Sequence, residues 1–126
     1  AHLFVEDITI TGIQNAVKKA STLTPLLQKY HGEKTETLFH AWHETWLADD
    51  FQDWSIEKEV QQITEPVRAI QGKNDDYGTQ DQVNEIVGRV AGPSKKLFVE
   101  NAGHIPFLDE PELIAKHICS FISKST

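Results

Sequence analysis

The second half of the chain alternates short apolar runs with segments whose apolar residues recur at helical spacing. The apolar runs occupy residues 67–70 and 97–99, and each has the length that is typical of a buried strand. Strands that alternate with helices in this way predict parallel βαβ units. We therefore predict an α/β fold with few parallel strands.

Start signals for two helices lie in this half. Thr79 and Gln82 have the spacing of a capping box, which predicts a helix that begins directly after Thr79. Asp109, followed by Pro111 and Glu112, predicts the start of the last helix. The apolar stripe of that helix would consist of Ile114, Ile118, Phe121 and Ile122.

The first half has a helical pattern after a short apolar run at residues 3–5, which could be the end of a strand. Asp7 is a suitable N-cap for a first helix. Thr24 followed by Pro25 predicts the start of a second helix, because proline is favoured in the first helical turn. A third helix is predicted from about residue 33 to about residue 48. Its apolar face would consist of Leu38, Phe39, Trp42 and Trp46.

Composition and charge exclude several classes of function. The 126 residues are 39% hydrophobic and 25% charged, as in an ordinary soluble domain, and the net charge is -7. No basic patch is evident, which argues against a nucleic-acid partner and against attachment to a membrane. The single cysteine, Cys119, excludes an internal disulfide and suits a cytoplasmic location. The absence of methionine suits a chain that is one piece of a longer protein.

Two polar motifs follow the predicted strands directly. Asp75 lies in the turn after the first strand, and His104 lies in the loop after the second. Because the ligands of an open parallel sheet lie beyond the carboxyl ends of its strands, we expect these two side chains to lie close together. A histidine can act as a general base near neutral pH, and a carboxylate bonded to it fixes its tautomer. Asp75 and His104 are therefore candidate catalytic residues.

Other interpretations of these residues stay open. Asp76 competes with Asp75 as the acid, although we favour Asp75. Two aspartates shortly before a glycine are also ordinary turn chemistry, and a histidine after a strand often bonds only to a neighbouring loop. Gly103 precedes His104, and we expect it to relieve crowding where the chain leaves the second strand.

On these motifs the chain resembles the C-terminal part of an α/β-hydrolase-fold protein. Residues 72–75, Gly-Lys-Asn-Asp, are similar to the acid turn of that family, and residues 103–106, Gly-His-Ile-Pro, are similar to its histidine loop. The order, with the acid before the histidine, is that of the family.

The resemblance implies a domain organisation and an activity. Residues 1–6 would be the end of a core strand, residues 7–63 an inserted helical cap, and residues 64–126 the C-terminal part of the α/β core. The activity would be hydrolysis of small esters or carbon–carbon bonds, with Asp75 and His104 serving a serine nucleophile.

The nucleophile of that family is not found in this sequence. No serine lies in a Gly-x-Ser-x-Gly motif, and Cys119 is more typical of a packed small side chain. Without a nucleophile and oxyanion donors most of the rate enhancement is lost, so we expect no turnover by this chain alone.

The missing strands of the expected sheet predict which partners the chain would bind. A severed sheet edge predicts pairing with a complementary N-terminal segment or with a second copy of the chain. A small-molecule substrate would then bind only in the complete enzyme, and no cofactor is expected. An alternative is a non-catalytic interaction module that uses the same exposed edge for a partner.

Three aromatic residues are candidates for substrate binding. Trp42 and Trp46 lie on the apolar stripe of the predicted third helix, and Phe107 lies in the histidine loop. The stripe either holds the helices together or lines an apolar pocket.

The same predicted helix carries His40, His43 and Glu44. Residues three and four apart share a helix face, but this spacing is not the His-Glu-x-x-His zinc motif. We interpret these residues as a solvated face and predict no metal site.

Overall fold

A computed structural model describes residues 2–125, with side chains through Ser123. The chain divides into two compact units. One unit is helical and comprises Val5–Trp54, and the other comprises Ala1–Phe4 together with Ser55–Thr126. The second unit contains the sheet.

The helical unit is built from three α-helices that pack on one another. They are α1 (Asp7–Lys18), α2 (Ala20–His31) and α3 (Thr35–Leu47). Short 3₁₀ turns precede and follow α3, at Gly32–Lys34 and Asp49–Phe51. The buried residues of this unit are Thr9, Gly12, Ile13, Ala16, Thr35 and Phe39.

Two predicted helix starts in this unit are wrong. Asp7 is the first residue of α1 and not its cap, because Glu6 is the N-cap residue and makes no side-chain capping bond. The second helix begins at Ala20 and contains Pro25. Its first turn is already set by Leu23, whose N–H donates to the carbonyl of Lys19 at 3.0 Å. Pro25 therefore lies past the first turn, where its missing N–H removes one helical hydrogen bond.

The sheet unit contains two parallel strands joined by a helix. Strand β1 (Val67–Gly72) pairs with β2 (Ser94–Val99), from Val67 opposite Ser94 to Gly72 opposite Val99. The crossover contains α5 (Gln80–Arg89), which packs on both strands. The predicted parallel βαβ unit is confirmed. The remaining helices of this unit are α4 (Glu57–Val60), α6 (Pro106–Asp109) and α7 (Pro111–Ser125).

A small apolar cluster holds the end of β2 against the last helix. Val99, Ala102 and Ile114 are all buried, and Ile70 and Leu97 pack against them. Hydrophobic contact of this kind is the main force that fixes the loop after β2 in place. The carboxyl ends of both strands are thereby anchored to α7.

The residues near the N-terminus do not form a regular strand. Phe4 makes an isolated antiparallel bridge with Ser55. Gln82 fixes this segment, since its side-chain oxygen accepts from the N–H of Leu3 at 2.7 Å and its amide donates to the carbonyl of Phe4 at 3.0 Å. The segment is thus attached to α5 by hydrogen bonds from a glutamine that is 1% exposed.

The N-cap predicted for α5 is confirmed. Thr79 is the N-cap residue, and its hydroxyl accepts from the N–H of Asp81 at 3.2 Å. The side chain of Gln82, in the first turn of α5, also binds the segment at residues 3–4. The start of α5 is therefore joined to that segment by a tertiary contact.

The start of the last helix also differs from the prediction. Helix α7 begins at Pro111, and the carboxylate of Asp109 accepts from the N–H of Gly103 at 2.8 Å. Ile114 is buried, whereas Ile118 is 44% exposed and Ile122 is 56% exposed. Only part of the predicted apolar stripe is covered.

None of the helices in the described residues is long and apolar enough to span a bilayer.

Candidate active site

The acid turn and the histidine loop touch through their backbones. A Cβ atom built at Gly72 would lie 2.2 Å from the carbonyl oxygens of both Ala102 and Gly103, so any side chain at position 72 would collide with them. The N–H of Lys73 donates to the carbonyl of Val99 at 2.8 Å, and that of Asn74 donates to Ala102 at 3.0 Å. The glycine therefore permits hydrogen bonds that continue the parallel pairing beyond the strands.

The expectation that Gly103 relieves crowding is wrong. A Cβ at Gly103 would meet its nearest neighbour, the carbonyl oxygen of Asn74, at 3.7 Å, which is an ordinary contact. The crowded position is Gly72, because its backbone lies directly against the histidine loop. The sequence contains both glycines, but only tertiary packing distinguishes them.

The structure brings Asp75 and His104 into direct contact. The Oδ1 atom of Asp75 lies 2.9 Å from the Nδ1 atom of His104. The side chain of Asp75 is 10% exposed and that of His104 is 44% exposed. Asp76, the competing acid, is exposed, and it is the carboxylate of Asp75 that accepts the hydrogen bond of the imidazole.

The carboxylate of Asp75 is held by two further donors. The N–H of Tyr77 donates to Oδ1 at 2.9 Å, which is the geometry of an Asx-turn. The side-chain amide of Gln71 donates to Oδ2 at 3.3 Å. The same amide donates to the carbonyls of Gly78 at 2.7 Å and Thr79 at 3.2 Å. Gln71 therefore fixes the whole acid turn, and the sequence analysis missed it because it looks like an ordinary polar residue at a strand end.

Tyr77 is a second residue that the sequence analysis missed. Its ring centroid lies 4.6 Å from that of His104, with 48° between the ring planes. Burial raises the pKa of Tyr77 above 10.0, and the negative charges of Asp76 and Asp75 raise that pKa further. An aromatic residue two positions after the acid was a signal in the sequence, but only the fold shows that its ring packs on the imidazole.

The arrangement can perform acid–base chemistry. When Nδ1 of His104 is protonated it donates to Asp75, and the lone pair of Nε2 can then accept a proton from a nucleophile. In the described part of the chain no serine or cysteine is hydrogen-bonded to His104. The hydroxyls of Ser94 and Ser123 instead donate to the carbonyls of Val87 and Cys119.

A cavity of about 600 Å³ opens beside Asp75 and His104. Five consecutive residues of β1, at positions 67–71, line it. Since successive side chains of a strand point to opposite faces, a cavity touching all of them runs along the edge of β1. Side chains of α5 and α7, including Val83 and Ile114, complete its walls.

Nε of Arg68 and Oε1 of Gln71 lie at this cavity and are buried with no hydrogen-bond partner among the described residues. Buried polar groups normally have hydrogen-bond partners, so an unpaired donor and an unpaired acceptor at one strand edge require an explanation.

The candidate substrate-binding residues lie in different units. Phe107 is 59% exposed and lines the cavity together with Asp75 and His104. Trp42 and Trp46 belong to the helical unit, where both are half-buried. The ring of Trp42 lies 5.9 Å from that of Phe39, and Trp46 packs edge-on against Phe51 at 5.3 Å. Both tryptophans thus pack with aromatic residues of their own unit.

One group in the described residues has the side chains to hold a metal ion, and it consists of His40, His43 and Glu44 on α3. It belongs to the helical unit, whereas Asp75 and His104 belong to the sheet unit.

No protein-family model and no curated protein matches this sequence. Solved structures do match it. A serine hydrolase involved in carbazole degradation, the CarC enzyme, matches with a TM-score of 0.67 and 18% identity, over 98% of this chain and 51% of its own. An esterase from Exiguobacterium antarcticum matches with a TM-score of 0.60 and 20% identity, over 96% of this chain and 53% of its own. A hydrolase from Pseudomonas aeruginosa matches with a TM-score of 0.57 and 14% identity, over 96% of this chain and 52% of its own.

The chain has the fold of the C-terminal part of an α/β-hydrolase. The chain spans about half the length of the solved structures that it matches. At identities of 14–20%, these structural matches establish the fold alone. The role of the site must be argued from its own geometry.

Proposed function

We propose that this chain supplies the acid and the base of a serine hydrolase, and that a complementary segment supplies the nucleophile. Asp75 would orient His104, and Nε2 of His104 would take the proton of the attacking serine hydroxyl. The observation that carries this proposal is the 2.9 Å contact between Asp75 Oδ1 and His104 Nδ1.

The surroundings of the pair support this role. Asp75 is nearly buried and has two donors besides the imidazole, so its carboxylate is held in one orientation. A fixed carboxylate selects the tautomer of His104 that leaves Nε2 free to act as the base. His104 itself is nearly half exposed, which leaves room for a reacting group beside the ring.

Features of the β1 edge support the proposal that a complementary segment binds there. The cavity runs along this edge, and the buried Arg68 Nε and Gln71 Oε1 that lie at it have no hydrogen-bond partner in the described chain. A strand added here would bring backbone carbonyls and N–H groups, which are the partners these atoms need. The half-length match to solved hydrolases supports an N-terminal segment as the source of that strand.

The substrates would be small molecules with an ester or carbon–carbon bond to cleave. Phe107 is the residue best placed to contact the apolar part of such a substrate, since it is exposed and shares the cavity with His104. Trp42 and Trp46, in the helical unit, are proposed as further substrate-binding residues.

Reconstitution tests the proposal. The chain would be joined as a single polypeptide to the N-terminal half of the Exiguobacterium antarcticum esterase, which removes the need for two pieces to find each other. Folding is checked by circular dichroism, and hydrolysis of p-nitrophenyl esters and labelling by a fluorophosphonate are then measured. We expect ester hydrolysis that His104→Ala lowers by about 10³-fold or more.

Asp76→Asn is the matched control, because Asp76 neighbours the proposed acid and is exposed. It should leave hydrolysis nearly unchanged. The assignment of His104 as the base would be refuted if the folded chimera hydrolysed esters equally fast with and without His104→Ala.

A further inference from the structure

Three potential metal ligands converge on the second half of helix α3. His40, His43 and Glu44 each offer one ligand atom, and these atoms all lie within 4.8 Å of one another. The positions are i, i+3 and i+4, which share one face of a helix. Their spacing by itself predicted only a solvated face, and it is the convergence of the ligand atoms that changes this interpretation.

Two of these ligand atoms are already close enough to bind the same ion. His40 Nδ1 lies 2.9 Å from Glu44 Oε1. Two ligand atoms that bind one ion at about 2.1 Å are about 3 Å apart at right angles and about 3.4 Å apart at the tetrahedral angle, so a small side-chain movement covers both geometries. The imidazole of His40 and the carboxylate of Glu44 can therefore bind one ion without a change of backbone, once the proton between them is lost.

The third ligand is held in place by a buried side chain. The ring of His43 packs edge-on against Phe39, with 5.0 Å between the ring centroids. Phe39 is 8% exposed and belongs to the core of the helical unit. The ring of His40 lies 5.0 Å from that of His43. Because His43 is already ordered by packing, less side-chain entropy is lost when it binds an ion.

The local electrostatics favour a cation. Helix α3 has no basic residue in its last turn, which contains Glu44. The C-terminal end of a helix carries partial negative charge, so a cation near it is stabilised. Asp49 and Asp50 follow the helix and are exposed, and the chain as a whole has a net charge of -7. No neighbouring positive charge within α3 opposes binding.

We propose that His40, His43 and Glu44 form a binding site for a divalent transition-metal ion such as Zn²⁺, Ni²⁺ or Cu²⁺. Two imidazoles and one carboxylate form a ligand set that suits these ions, whereas Mg²⁺ and Ca²⁺ prefer oxygen ligands. Water would complete the coordination, because His40 and Glu44 are exposed. The site is independent of the proposed hydrolase role, since it uses none of the residues of that site.

Calorimetric titration with Zn²⁺ and Ni²⁺ tests the proposal. The chain would carry Cys119→Ser and no affinity tag, because the exposed thiol is a competing zinc ligand. We expect one ion per chain, with binding that weakens as the pH falls because only neutral imidazole coordinates. Loss of a partner that only supports a ligand already costs a metal site about 10- to 100-fold in affinity, so His43→Gln and Glu44→Gln, which each remove a ligand, should each weaken binding by at least about tenfold. Mg²⁺ should not compete.

His31→Gln is the matched control, since His31 is an exposed histidine at the end of the neighbouring helix. It should leave the affinity unchanged. Circular dichroism confirms that each variant is folded, and paramagnetic Ni²⁺ should broaden the imidazole resonances of His40 and His43 before those of the other histidines. The proposal is overturned if no ion binds, if the double variant His40→Gln/His43→Gln binds as well as the parent chain, or if the broadening starts at His104.

Discussion

The backbone of Gly72 packs directly against the carbonyl oxygen of Ala102, which a Cβ at position 72 would approach to 2.2 Å. This contact joins the acid turn to the histidine loop, and the two hydrogen bonds that follow it depend on the same close approach. The distance between Asp75 and His104 is therefore set by a glycine that takes no part in the chemistry.

Gly72→Ala should strongly destabilise the chain. The obstacle is backbone and not a flexible side chain, so the turn and the loop must separate to make room for the methyl group. We expect a loss of about 3 kcal/mol or more in the free energy of unfolding, measured by urea denaturation.

Two other glycines serve as controls for that substitution. Gly88→Ala in α5 should stabilise the chain by about 0.5–1 kcal/mol, because nothing lies within 4 Å of the new Cβ and alanine favours the helix. Gly103→Ala should be close to neutral because its nearest contact would be 3.7 Å. Equal losses at positions 72 and 103 would contradict the assigned packing.

Gln71→Met should loosen the acid turn. The substitution keeps the size of the side chain but removes the amide that donates to Asp75, Gly78 and Thr79. The carbonyl of Gly78 loses this donor, and Asp75 and Thr79 each keep another donor, so the substitution should cost about 1–3 kcal/mol of unfolding free energy. Urea denaturation measures the loss, and Gln80→Met, at an exposed neighbouring position, should change stability little. The idea fails if both variants are equally stable.

The raised pKa of Tyr77 predicts a loss of stability at alkaline pH. Burial, and then the charges of Asp76 and Asp75, keep Tyr77 neutral in the folded chain above pH 10.0, where the unfolded chain has begun to ionise. The folded state then binds more protons than the unfolded state, so the free energy of unfolding falls as the pH rises.

Tyr77→Phe removes this ionisation. Its free energy of unfolding should therefore fall less than that of the parent chain between about pH 9 and about pH 11. Tyr30→Phe is the control, because Tyr30 is 84% exposed. If the free energy of unfolding fell more steeply with pH for Tyr77→Phe than for the parent chain, the predicted direction of the effect would be wrong.

Asp75→Asn should separate the charge of the acid from its role in folding in the chimera. The amide oxygen can still accept from the N–H of Tyr77 and from Nδ1 of His104, so the turn is kept, but the negative charge that stabilises the protonated imidazole is lost. We expect ester hydrolysis to fall by about 10³- to 10⁴-fold with little change in substrate affinity. The measurement is the split between kcat and KM, and full activity would remove Asp75 from the proposed mechanism.

The parallel strands and the helix between them were predictable because their signals are local. Apolar runs of strand length, a threonine at the N-cap and apolar residues at helical spacing each reflect interactions within a few residues. The predicted starts at Asp7 and Pro25 were wrong because helix formation began elsewhere, and competing starts differ little in local free energy.

The sequence by itself determined the order of the chemical groups: an acid after one strand and a histidine after the next, with α/β alternation to bring both to one end of a sheet. Only the tertiary structure decided that Asp75 and not Asp76 reaches the imidazole, that Gln71 and Tyr77 support the pair, and that Gly72 rather than Gly103 is the tight position. The physical reason is that strand and helix propensities act over a few residues, whereas each of these contacts depends on where backbone from two distant segments meets.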